Sequence, residues 1–123
     1  MPISVFIAAL AANLTVPVGE SWLFRVERGR PVAARRGAPT DTPARGEIRI
    51  TARRMIGTTL TMLNNSPTAY TFSAILIAAN GKQVAARSCV LPAENRLTME
   101  SWPQVAAAVR VGDFRPTTAA NCR

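Results

Sequence analysis

Residues 68–91 read T-A-Y-T-F-S-A-I-L-I-A-A-N-G-K-Q-V-A-A-R-S-C-V-L. Two apolar, β-rich runs flank Asn80-Gly81, a dipeptide that reaches positive φ at both residues and so suits the tight type I′ turn of a two-residue hairpin. The predicted register pairs Ala79 with Lys82, Ile77 with Val84, Ile75 with Ala86 and Phe72 with Cys89, because partners across a turn sum to a constant. Side chains alternate along a strand. Tyr70, Phe72, Ala74, Leu76 and Ala78 therefore share one face with Ala85 and Cys89, while Ile75, Ile77, Val84 and Ala86 share the other. Both faces are apolar near the turn, which argues for a hairpin in the middle of a sheet.

Toward the N-terminus the same period continues. Ile48, Ile50 and Ala52 alternate with Arg49, Thr51 and Arg53; after the break at Met55-Ile56-Gly57, Leu60 and Met62 share one face, and Asn64-Asn65-Ser66-Pro67 forms a turn. Leu14, Val16 and Val18 alternate with polar residues or proline, and Gly19-Glu20 turns the chain into Trp22, Phe24 and Val26. Trp22 and Phe24 read as core, since an aromatic pair at period two packs far more often than it binds. Toward the C-terminus, Pro92–Asn95 is a turn and Arg96–Glu100 a short strand. Residues 102–106 form a turn or a single helical turn, and 107–115 a final strand. Seven to eight short strands with turn signals every 8–12 residues predict an all-β fold, an antiparallel β-sandwich of immunoglobulin-like architecture, with a small β-barrel as the alternative.

Residues 28–46, R-G-R-P-V-A-A-R-R-G-A-P-T-D-T-P-A-R-G, depart from this pattern with three prolines, three glycines and five arginines against the single acid Asp41. They read as an exposed arginine-rich loop with one edge strand at 32–35. Long loops in compact domains are commonly functional or disordered, so this segment is the first candidate for a contact surface.

Residues 1–12, M-P-I-S-V-F-I-A-A-L-A-A, are apolar but shorter than the roughly 20 residues a bilayer span needs. Ala9-Leu10-Ala11 supplies the small-x-small pattern of signal cleavage, yet no Lys or Arg precedes Arg25. The run is read as a truncated signal peptide or, failing that, as a buried first segment. Residues 13–123 are then a single sandwich domain, and the expected location is periplasmic or secreted, with the cytoplasm as the alternative.

The formal net charge is +8, from 15 Lys and Arg against 7 Asp and Glu, and there is no histidine. Such a balance attracts anionic partners. All cations but Lys82 are arginine, which a GC-rich genome also produces. Absent histidine removes Ser-His and Cys-His dyads and nearly every common zinc site. No acidic pair has a spacing that marks an acid/base couple; Glu94 and Glu100, flanking one short strand, read as surface groups, and Asp113 sits near the end of the last strand. The expectation is a chain with no enzymatic activity, no cofactor and no metal.

Cys89 and Cys122 are the only cysteines, without a C-x-x-C motif. In an exported protein they are expected to form a disulfide that ties the C-terminal tail to the hairpin's second strand, worth about 4 kcal/mol in the chain-entropy model. Nine of fourteen arginines fall within residues 25–54. Alternation and loop placement gather Arg25, Arg28, Arg30, Arg35, Arg36, Arg45, Arg49 and Arg53 into a candidate contact surface able to fork onto phosphate or carboxylate. No aromatics are interleaved for base stacking and no helix is offered to a groove, so any nucleic-acid binding would be non-specific. The leading expectation is an exported bacterial domain acting through another protein or an envelope component, as an assembly, accessory or adhesion-type subunit. The alternative is a binder of anionic polymers: nucleic acid, lipopolysaccharide or anionic glycan.

Overall fold

The computed structural model describes residues 13–119; the leader-like run and Cys122 lie outside the described residues. Nine strands form two antiparallel sheets: β1 (Asn13–Pro17), β2 (Ser21–Glu27), β3 (Arg30–Gly37), β4 (Ile48–Met55), β5 (Gly57–Asn64), β6 (Tyr70–Ile77), β7 (Gln83–Ala86), β8 (Leu97–Trp102) and β9 (Ala108–Pro116). One sheet has the order β1-β9-β6-β7 and the other β3-β2-β4-β5-β8. They face each other as a sandwich and do not close into a barrel. Among the described residues there is no helix; residues 103–107 are bends and coil.

The core lies between the sheets and is built from the inward-facing positions that the period-two pattern marks. Ile48, Ile50, Ala52, Leu60 and Met62 come from one sheet, and Val16, Phe72, Leu76, Val109 and Val111 from the other. Phe114 gathers three rings around it: Phe24 at 5.5 Å, Phe72 stacked at 5.6 Å and Tyr70 edge-on at 6.0 Å. Offset and edge-to-face pairs add to the burial term, so this cluster joins the sheets at one of their densest points. Trp102, predicted to interrupt the chain, instead ends β8, buried, with its Nε1 donating to the Arg87 carbonyl at 2.8 Å.

The quoted stretch forms a hairpin, but its turn is one residue longer than expected. Gly81 N donates to Ala78 O at 2.9 Å and Ala78 N to Lys82 O at 2.8 Å, and only Gly81 takes the left-handed region, at φ +88°. This is a three-residue loop of the type I plus bulge kind. Pairs become Ala74 with Ala86, Ile75 with Ala85, Leu76 with Val84 and Ile77 with Gln83. A one-residue slip exchanges faces, so Val84 and Ala86, rather than Ala85, share the side of Ala74 and Leu76. An extra residue in the coil after β7 then restores the expected sum at the Tyr70–Leu91 bridge. Cys89 lies in that coil and not in a strand. The hairpin is also less central than its composition implies: β6 is interior, whereas β7 is a sheet edge with exposed Gln83, Val84 and Ala85.

A tight turn with both central residues at positive φ occurs elsewhere, at Arg28 (+51°) and Gly29 (+80°) between β2 and β3. The region read as a loop over 28–46 therefore contains a full edge strand. Pro31 is tolerated there because it begins an edge, and a bulge places Ala33 (φ +51°) and Ala34 opposite Phe24. What remains irregular is residues 38–47, which run from the end of β3 back across the outer face of β2 and β4.

Candidate functional site

The strap over 38–47 organises the arginines. Glu47, buried at its end, accepts from Arg35 Nε at 3.3 Å and Arg35 Nη2 at 3.0 Å, and from Ala44 N at 2.9 Å. The Arg35 hydrogen bonds hold the Glu47 carboxyl below the usual carboxylate range, against the opposing effect of burial. Arg25 Nη1 donates to Arg45 O at 2.9 Å, and Arg49 Nη1 to Asp41 O at 2.8 Å. Arg45 pairs with Glu94 at 3.1 Å and Arg36 with Glu20 at 3.6 Å. Asn65 completes the attachment, donating from Nδ2 to Pro43 O at 2.8 Å and accepting at its carbonyl from Gly46 N.

Beneath the strap sits Leu23, fully buried although it points away from the inter-sheet core. Its Cδ1 lies so close to Gly37 that a Cβ there would be 2.4 Å away, and the Asp41 carboxylate would be 2.7 Å from the same atom. A side chain at 37 would have to displace the end of Leu23 or the Asp41 carboxylate, so glycine suits the approach of strap to sheet. Five of the eight candidate arginines (Arg25, Arg35, Arg36, Arg45 and Arg49) are held in intramolecular contacts around this closure. Arg28, in the β2–β3 turn, and Arg30, opening β3, line one surface pocket with Glu27 and Val32, while Arg53, late in β4, is exposed toward the other end of the sandwich.

The carboxylates also separate. Glu94 is exposed beside Arg45, and Asp113 pairs with Arg115 at 3.1 Å in a bulge of β9. Glu100 is buried, which its reading as surface decoration missed: it occupies an inward position of β8 opposite Leu60 and accepts from Cys89 N at 2.5 Å. Burial pushes its carboxyl up, partly offset by that hydrogen bond. No group of three metal-ligating side chains occurs among the described residues. No described helix is long and apolar enough to cross a membrane.

Sequence reasoning read a short strand at Arg96–Glu100 without singling it out as a contact surface, and the structure places it as β8. It ends the five-stranded sheet next to β5 and pairs with it from Thr58–Trp102 to Leu63–Leu97 without a register shift. Leu97 and Met99 stand on the outer face, each 61% exposed. Among the described residues no backbone hydrogen bond reaches its free edge. The available signal was Leu97, Met99 and Ser101 alternating with Thr98, Glu100 and Trp102, a pattern that leaves undecided which set faces inward.

No protein-family model, curated protein or solved structure matches this chain.

Proposed function

We propose that the chain is a non-enzymatic, exported bacterial β-sandwich that acts by protein contact, and that the contact is strand addition along β8. The observation that carries this reading is that, among the described residues, no backbone hydrogen bond reaches that edge. Soluble sheet proteins blunt their edges with bulges, prolines, charges, short strands or covering segments. β3 has Pro31, a bulge and three arginines; β1 ends in Pro17; β7 has four residues and follows Lys82. β8 has six residues in regular register, and its outward side chains are Leu97, Met99 and Ser101. An extended partner segment would gain ladder hydrogen bonds there, with the apolar pair selecting side chains at alternate positions.

Export and the Cys89–Cys122 disulfide belong to the same proposal. They are supported by the leader-like run at 1–12 and by the lack of a free cysteine among the described residues. Residues 117–119 line a cleft with Cys89, and Thr117 N donates to Ala69 O at 2.9 Å.

Capture from envelope extract tests the reading. The wild type and an Arg28→Ala/Arg53→Ala variant are expected to retain the same partner, and Leu97→Lys/Met99→Lys to lose it. Capture that ignores the β8 changes but fails in the arginine variant would transfer the site to the basic surface. Recovery of two alkylatable thiols from the periplasmic protein would remove the disulfide.

A further inference from the structure

The antiparallel order places the β1–β2, β4–β5 and β6–β7 turns and the β8–β9 loop at one end of the sandwich. Hydrogen bonds lace them together: Gly19 N to Ala52 O at 2.8 Å, Val18 N to Ala107 O at 2.8 Å, Ala107 N to Ile77 O at 2.7 Å and Thr58 Oγ1 to Gln104 O at 2.7 Å. Beyond this base the β4–β5 hairpin protrudes. β2 accompanies β4 only as far as Thr51, so Arg53, Arg54 and Met55 stand clear of it. Gly57, at φ +87°, fixes the root of the tip against the β8–β9 loop, where a Cβ would fall 2.1 Å from Trp102 O.

The tip is apolar where it is most exposed. Ile56 is 95% exposed, Met55 61% and Val105 57%, the last held at the hairpin's root by the Thr58 contacts to Gln104 and Ala106. Arg53 and Arg54 precede Met55 in β4, and Lys82 lies in the β6–β7 turn at the same end of the sandwich, all exposed. The only acid in these turns is Glu20, which already accepts from Trp22 Nε1 at 2.9 Å and pairs with Arg36.

We propose that this end is a membrane-docking surface for anionic phospholipid, with Ile56 and Met55 inserting at the headgroup boundary and Arg53, Arg54 and Lys82 meeting lipid phosphates. Convexity favours a bilayer over a protein. Three side chains on turns supply far less than the roughly 800 Å² per partner of a stable protein interface, whereas a lipid surface deforms around a projecting tip and needs no complementary cavity. The cations add attraction confined to about a Debye length from an anionic leaflet. This surface is independent of β8 and lies beyond the protein-contact reading.

Co-sedimentation of the full chain with phosphatidylglycerol/phosphatidylcholine vesicles, compared with phosphatidylcholine alone, tests it. Binding is expected only to the anionic vesicles and is expected to weaken with salt. Met55→Ser/Ile56→Ser, which leaves the charge unchanged, should lower the affinity about tenfold or more. Arg53→Ala/Arg54→Ala should lower it about thirtyfold at low salt, from roughly 1 kcal/mol per cation at the surface, while Arg28→Ala at the opposite end stays within about twofold. Leu97→Ala/Met99→Ala should bind vesicles as the wild type does, which separates this test from that of the strand edge. The proposal fails if anionic vesicles are not bound, if the serine variant binds them as well as the wild type, or if the tip residues are needed only for retaining a lipid-free envelope protein.

Discussion

β3 and β8 terminate the same five-stranded sheet, yet they are finished in different ways. β3 is bulged and carries Pro31, and the strap that follows it is sealed down by Arg35–Glu47, Arg25–Arg45 and Arg49–Asp41 contacts. β8 is regular, uncovered among the described residues, and shows Leu97 and Met99 to solvent. The contrast changes how a basic sequence is to be read. Arginines concentrated over residues 25–54 suggest an outward-facing surface, but four of the nine, Arg25, Arg35, Arg45 and Arg49, help hold down a segment of their own chain. β8, which carries no arginine, receives no backbone hydrogen bond at its outer edge among the described residues.

If the strapped half maintains the fold, the largest loss follows from emptying the space beneath it. Leu23→Ala should cost about 2–5 kcal/mol, read as a lowered denaturation midpoint, because a fully buried leucine is removed from a site closed by Gly37 and the strap. A cost near zero would mean that the strap covers nothing of consequence.

Loosening the seal should have a smaller effect. Glu47→Ala removes the acceptor for Ala44 N and for Arg35, at about 1–2 kcal/mol, and should open residues 38–46 to limited proteolysis. The same carboxylate sets a pH response. Its folded-state value is depressed, so its contribution is present above the ordinary carboxylate range and is lost as pH falls through the depressed value.

Glu100, on the β8 side, has the opposite sign. Its value is raised by burial, so its favourable contribution is complete below the ordinary range and is lost as pH rises through the raised value. Glu100→Gln should therefore gain on the wild type as pH rises above the ordinary carboxylate range. A gap that does not change with pH would place that carboxyl in water. Least affected should be Leu97→Lys/Met99→Lys, within about 0.5 kcal/mol of wild-type stability, as exposed positions outside the core. A large loss there would show that β8 is an internal structural element and not an open edge.

Much of this fold is legible in the chain. Alternation identified the inward faces of β4 and β5, and the turn signals at Gly19-Glu20 and Asn64–Pro67 fall between strands. What alternation does not encode is local turn geometry and partner order. Asn80-Gly81 closes a longer loop than the two-residue turn its chemistry favours, while Arg28 adopts positive φ because the β2–β3 ladder holds it there. Proline and glycine at 29, 31 and 37 read as breakers, yet each is compatible with an edge strand. The candidate site was less legible. Charge marks arginines without showing that Glu47, Asp41 and backbone carbonyls face them across the strap. Nor does the sequence of β8 disclose that it lies at the end of its sheet.

Amide hydrogen exchange of the full chain, alone and in complex with the partner captured from the envelope, is the most direct test of the assignment of contact to the open edge. The account predicts that exchange slows on binding at residues 97–102 and is unchanged at residues 30–37 and in the strap. Slowing along β3 and the strap, with β8 unaffected, would contradict it.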